Sequence, residues 1–148
     1  MLFHGSALFN FIGILSQGLR IAPKEAPNHG YMFGKGVYFA DMVSKSLAYS
    51  SSRVSVSQDS TLMLICDVAL GNSQIKYQAE FIEKLPPGKH SVHGSGKRGP
   101  NYDNSLYLPN GSLLPTGNIH EYPITPDLIK NFPKTNHWGQ PQVPQYHL

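Results

Sequence analysis

The spacing of apolar residues changes period several times along the chain, and each change marks an element. Leu2 to His4 reads as a short strand closed by a Gly5-Ser6 turn. From Ala7 to Gln17 the apolar positions Leu8, Phe11, Ile12 and Leu15 fall three and four apart, which predicts a helix with Gly18 just past its end. Arg20 to Val37 is a long loop punctuated by Pro23, Pro27, Gly30, Gly34 and Gly36. Val37 to Ala40 is an unbroken apolar run that predicts a buried strand. Asp41 then suits a helix N-cap, and Met42 to Tyr49 follows with Val43 and Leu47 on one face.

After a polar, serine-rich loop from Ser50 to Ser60, residues Thr61 to Leu70 alternate with apolar residues on both faces, the pattern of a strand central in a sheet. Gln74 to Tyr77 predicts another strand, and Ala79 to Leu85 a short helical turn stopped by Pro86-Pro87. Pro86 to Pro100, rich in glycine, proline and basic side chains, reads as a flexible loop. Thr125-Pro126-Asp127 opens a helix carrying Leu128, Ile129 and Phe132. Residues 1–133 form the expected domain, and 134–148, with little periodicity, a loose tail.

Composition narrows the class. A chain of 148 residues fits one domain and buries roughly 68–70% of its unfolded surface without staples. Cys66 is the single cysteine, so an internal disulfide and a thiolate-rich zinc site are excluded, and a reducing intracellular compartment fits. His90 and His93 lie three apart with no third ligand near them in sequence, so no metal is expected. No apolar stretch approaches the roughly 18–20 residues that span a bilayer, and no membrane partner is expected. A formal charge of +3 is mild and favours a polyanionic ligand only weakly.

The candidate chemistry sits where loop, strand and helix meet. Three glycines in seven residues, Gly30, Gly34 and Gly36, lead into the strand and helix that display Tyr38, Lys45, Ser46 and Tyr49. Ser46 and Tyr49 are i and i+3 and share a face. Aromatic faces, a hydroxyl and an ammonium suit a planar heterocycle carrying an amide and phosphates. The same residues also suit a glycine-rich hairpin beside a core helix, and composition alone leaves both readings open.

Gly30 to Tyr49, taken with Phe3-His4-Gly5-Ser6 and with Ile14 to Pro23, closely resembles the catalytic domain of the poly(ADP-ribose) polymerases, particularly the DNA-damage-responsive branch. The resemblance runs almost continuously over residues 2–100. Together with the strand pattern it implies an α+β domain built on a split, mostly antiparallel sheet with short helices, of ADP-ribosyltransferase type, with His4 and Tyr38 on neighbouring strands facing one cleft.

The resemblance also implies NAD as substrate, protein side chains as acceptors of ADP-ribose, and nicotinamide as the leaving group, with extension to poly(ADP-ribose) left open. His4, Tyr38 and Glu121 would be catalytic. His4 would bond the adenine-side ribose, Gly5 and Ser46 the carboxamide, and Ser6 the adenosine half, with Tyr38 and Tyr49 sandwiching the nicotinamide. Gly13, Arg20, Tyr31 and Lys45 complete the implied NAD contacts. Glu121, in Asn118-Ile119-His120-Glu121-Tyr122, resembles the strand carrying the family's catalytic glutamate, although the loop before it is shorter than the family pattern and Pro123 interrupts the strand. A nuclear setting is implied too. The family's autoinhibitory helical domain and DNA-binding modules are not expected in these residues. A catalytically dead NAD- or ADP-ribose-binding module, or a fragment, is the alternative.

Overall fold

Leu2 and Phe39 are each 6% exposed and form the centre of the apolar core, with Leu19, Val37, Cys66, Val68 and Leu70 packed against them. They hold together the strands that begin the sheet, β1 (Leu2–Gly5) and β2 (Tyr38–Ala40). The structure is a computed structural model that describes residues 1–21, 31–50, 61–122 and 145–147. The expected turns at Pro23, Pro27 and Gly30, the serine-rich loop over 51–60, Pro123 and the helix opening at Thr125 lie outside the described residues.

Besides β1 and β2, the main sheet holds β3 (Met63–Cys66), β4 (Ser73–Lys76), β5 (Ser91–Gly94) and β10 (Gln145–His147). Their order among the described residues is β3-β1-β2-β10-β5-β4, antiparallel throughout except for the β4–β5 pair. Two small antiparallel ladders complete the fold: β6 (Arg98–Pro100) with β9 (Ile119–Glu121), and β7 (Leu106–Tyr107) with β8 (Leu113–Leu114). Short helices on a mostly antiparallel sheet make this an α+β domain, as expected.

Several elements differ from their expected form, each for a local reason. The strand predicted over Thr61 to Leu70 is outermost among the described residues rather than central: β3 pairs with β1 alone, and Ile65 is exposed. Residues 79–85 form no helical turn, because the amides of Glu80 and Ile82 donate to the carbonyls of Met32 and Phe33 and so cannot enter an i to i−4 ladder. The presumed loop from Pro86 to Pro100 contains β5 and β6. Ser91 and Val92 are wholly buried there, and Lys89 is fixed by bonds from Nζ to Asn72 Oδ1 and the Ser73 carbonyl. Residues 145–147, in the segment expected to be a tail, form β10.

The first helix divides in two, a 3-10 turn at Leu8–Asn10 and α1 (Phe11–Gln17), closed by Gly18 at φ 77° with its N–H on the Ile14 carbonyl at 2.8 Å. Phe11 alone of its apolar face is buried; Leu8, Ile12 and Leu15 are exposed. α2 (Val43–Ser50) also reverses expectation, burying Ser46 and Ser50 while Val43 and Leu47 face outward. Asp41 lies ahead of this helix and is 2% exposed. Its Oδ2 accepts from the Tyr102 hydroxyl, which joins the segment leading out of β6 to the end of β2, and its Oδ1 has no hydrogen bond among the described residues.

Burial raises the Asp41 carboxyl from 3.8 to about 6, against the opposing effect of the Tyr102 bond. The folded state therefore holds this proton more tightly than the unfolded chain, so the contribution is stabilising below pH 4 and is lost as pH rises through 6. Asp41→Asn keeps an acceptor for Tyr102 and removes the titration. Between pH 4 and pH 7 the wild type should lose up to about 3 kcal/mol relative to Asp41→Asn in urea unfolding; a pH-independent difference between the two proteins would refute this.

Candidate functional site

The site begins where α2 presses on the end of β1. A Cβ placed on Gly5 would stand 1.9 Å from the Ser46 carbonyl oxygen and 2.7 Å from Ser50 Oγ, so only glycine fits. Ser46 Oγ donates to the Phe3 carbonyl at 2.8 Å. That bond uses the hydroxyl proton, and the oxygen remains able to accept from an amide N–H. Serine is buried on this helix because a larger side chain would hold helix and strand apart.

Tyr38 is anchored at its far end. Its hydroxyl donates to the Gly34 carbonyl at 2.6 Å and accepts from the Phe33 N–H at 3.1 Å. Burial pushes its pKa up to about 12, with Tyr31 and Tyr49 adding to the rise, so the phenol stays neutral. The Tyr31 ring lies 6.4 Å from the Tyr38 ring at 37°. Tyr49 is exposed on α2 with Lys45 Nζ 5.6 Å from its ring centroid. Three tyrosines and a lysine thus converge at the junction that sequence reasoning singled out.

His4 and Tyr38 are on neighbouring strands, but their side chains do not form one wall. β1 and β2 share the register pair Phe3↔Ala40, and beside it His4 Nδ1 lies 2.8 Å from the Tyr38 carbonyl. A carbonyl only accepts, so Nδ1 carries the proton and Nε2 is the acceptor of a neutral imidazole. Burial lowers the His4 pKa, with the carbonyl bond opposing it, which favours that neutral form. The His4 ring meets Phe39 edge-on at 5.7 Å, while strand alternation turns Tyr38 away from Phe39 toward Tyr31 and Tyr49. The link between the two residues is therefore side chain to backbone.

The remaining residues are more scattered. Ser6 Oγ accepts from Asn10 Nδ2 at 2.9 Å at the exit of β1. Gly13 is on α1 with open space where a side chain would go, and Arg20 is exposed and donates to Gln17 Oε1 at 2.8 Å. Glu121 lies on β9, outside the six-stranded sheet, and its Oε1 accepts from Arg98 Nε at 2.9 Å and pairs with Nη2 at 2.8 Å. Its side chain is 72% exposed.

The placement of Glu121 departs from the expected seat beside Tyr38. The backbone explains it: the Asn101 amide bonds the Asn118 carbonyl and the Tyr122 amide the Lys97 carbonyl, which commits Ile119–Glu121 to β6. The strands flanking β2 are β1 and β10, and β10 sets His147 in register with Tyr38 and contains no carboxylic residue. Sequence reasoning did not single out Phe33 and Tyr102, and it named Gly34 for its backbone freedom and not as a group that holds Tyr38.

Among the described residues, no group of three or more His, Cys, Asp or Glu side chains is arranged to hold a metal ion, and no helix is long and apolar enough to cross a membrane. With this geometry in view, comparison with known proteins assigns the class. The family model "Poly(ADP-ribose) polymerase catalytic domain" matches residues 1–128, and the chain belongs to that family. It is 49% identical over 131 residues to the poly [ADP-ribose] polymerase of Sarcophaga peregrina, covering 88% of this chain and 13% of the relative. The poly [ADP-ribose] polymerase 2 of Arabidopsis thaliana is 50% identical over 118 residues, 79% of this chain and 18% of its own length. The poly [ADP-ribose] polymerase 1 of Gallus gallus is 54% identical over 118 residues, 80% and 11% respectively. The chain thus spans less than a fifth of the length of these relatives.

The Gly5 contact generates a direct test. Gly5→Ala sets a methyl group against the backbone oxygen of Ser46, which cannot step aside as a side-chain tip would. We expect a loss of about 1–3 kcal/mol in urea unfolding from this overpacking, and an unchanged midpoint would show that α2 does not press on β1 as described.

Proposed function

We propose that the chain binds NAD and transfers its ADP-ribose to protein acceptors, releasing nicotinamide. The observation that carries this reading is the convergence of Tyr31, Tyr38 and Tyr49 beside the Gly5–Ser46 contact, in a chain of this family. In this proposal Tyr38 and Tyr49 stack on the nicotinamide, and Gly5 and Ser46 take its amide. His4 bonds the adenine-side ribose through its unprotonated nitrogen. Ser6, Gly13 and Arg20 contact the adenosine half, with Tyr31 over the ring and Lys45 near the pyrophosphate. Single transfer and extension into a polymer are both open to this reading, and a nuclear setting belongs to it by family alone.

Breaking the nicotinamide bond builds positive charge on the ribose, so the reaction needs a carboxylate near the sugar. Glu121 is the residue proposed for that task. A second reading, an NAD-binding module without transfer, is favoured by the Arg98–Glu121 pair on the β6–β9 ladder and by the absence of a carboxylic residue from β10.

Labelled NAD resolved by gel, with melting curves in millimolar benzamide, separates the two. Transfer predicts a benzamide-raised Tm, weakened by Tyr49→Ala, together with labelled protein. Glu121→Gln should then reduce the labelling rate on the order of 10²–10³. A raised Tm without NAD consumption would instead establish the binding module, and an unchanged Tm would eliminate the nicotinamide site.

A further inference from the structure

Tyr38 can present its ring to a ligand only if the ring is held, and its hydroxyl is held by backbone groups. The hydroxyl is clamped between the Phe33 N–H and the Gly34 carbonyl. Phe33 is wholly buried, and Gly34 sits at φ 95°, a conformation costly for any residue with a side chain. A Cβ there would stand 2.2 Å from the Ile82 carbonyl oxygen. The same stretch is stitched to residues 80–82, since the Glu80 amide donates to Met32 at 3.0 Å and the Ile82 amide to Phe33 at 3.3 Å. Glu80 is itself held by Lys76, at the end of β4, at 2.8 Å.

We propose that residues 80–82, acting through Phe33 and Gly34 on the Tyr38 hydroxyl, form a brace that sets the affinity of the site for the flat ring of a nicotinamide-type ligand. The inference rests on the NAD-site reading above and adds the positioning groups to it. Gly34 and Ile82 are positioning residues, because they act on Tyr38 and not on ligand. The Tyr31 carbonyl belongs to the same unit, accepting from the Gly34 N–H at 3.4 Å, so the brace fixes the backbone that carries a second aromatic ring. The adenosine end draws on His4, Ser6, Gly13 and Arg20, which lie outside this unit. Disturbing the brace should therefore separate the two ends of the ligand: ring affinity falls while adenosine-side affinity holds.

The test uses two probes on the full chain by calorimetry, benzamide for the ring end and ADP-ribose for the adenosine end. Tyr38→Phe keeps the aromatic face and removes only the clamped oxygen. It should weaken benzamide roughly tenfold, the worth of one buried hydrogen bond, with ADP-ribose affinity within about twofold of wild type. Gly34→Ala should have the larger effect in the same direction. If it lowers the melting point too far for titration, Tyr38→Phe decides alone. Equal benzamide affinity in wild type and Tyr38→Phe would overturn the brace and leave the NAD site standing, and so would parallel loss of both probes. Failure of wild type to bind benzamide at all would overturn the site reading and the brace with it.

Discussion

Everything at the candidate site depends on how closely α2 can lie on β1. The approach is set by a missing side chain at Gly5 and by small ones at Ser46 and Ser50, and the hydrogen bond from Ser46 Oγ to the Phe3 carbonyl secures it. A larger residue at any of these positions would lift the helix. Tyr49 and Lys45 are carried by that helix, so the distance between the exposed aromatic face and the anchored ring of Tyr38 is decided by packing at serines and a glycine, not by the aromatics themselves.

The architecture was legible from the sequence where periodicity and turn chemistry agreed. Gly18 ends α1 as its position implied, and Tyr38–Ala40 and Val43–Ser50 fall within a residue of their predicted bounds. Partners remote in sequence were not legible. Nothing in Ala79 to Leu85 signals that its amides are spent on Met32 and Phe33, and the run from Pro86 to Pro100 hides two strands behind residues that ordinarily mark turns. Apolar spacing alone also cannot tell a core-facing stripe from an outward one, which is why α2 turned out to bury serines.

Residue type and spacing brought Tyr38, Ser46 and Tyr49 together, and resemblance added Gly5 and Tyr31, all within two short stretches of chain. Glu121 shows the limit of that method. A three-residue similarity names a residue, but its seat is fixed by which strand its backbone pairs with, and here Ile119–Glu121 pairs with Arg98–Pro100. The electrostatic consequence is also local. Arg98 lies close enough to neutralise the carboxylate that transfer chemistry would need unpaired, although at this exposure such a pair is worth little and exchanges readily with water.

The position of β10 governs the order in which this sheet can be assembled. It lies between β2 and β5, bonded to both, yet comes from a part of the chain far from either. Until residues 145–147 arrive, β3-β1-β2 and β5-β4 share no strand ladder among the described residues, and each has an open edge where β10 will dock. Closing so long a loop is entropically slow. During synthesis on a ribosome the two ribbons would wait, unpaired along that seam, until almost the whole of this sequence had emerged, an interval in which a foreign strand competes for the same hydrogen bonds.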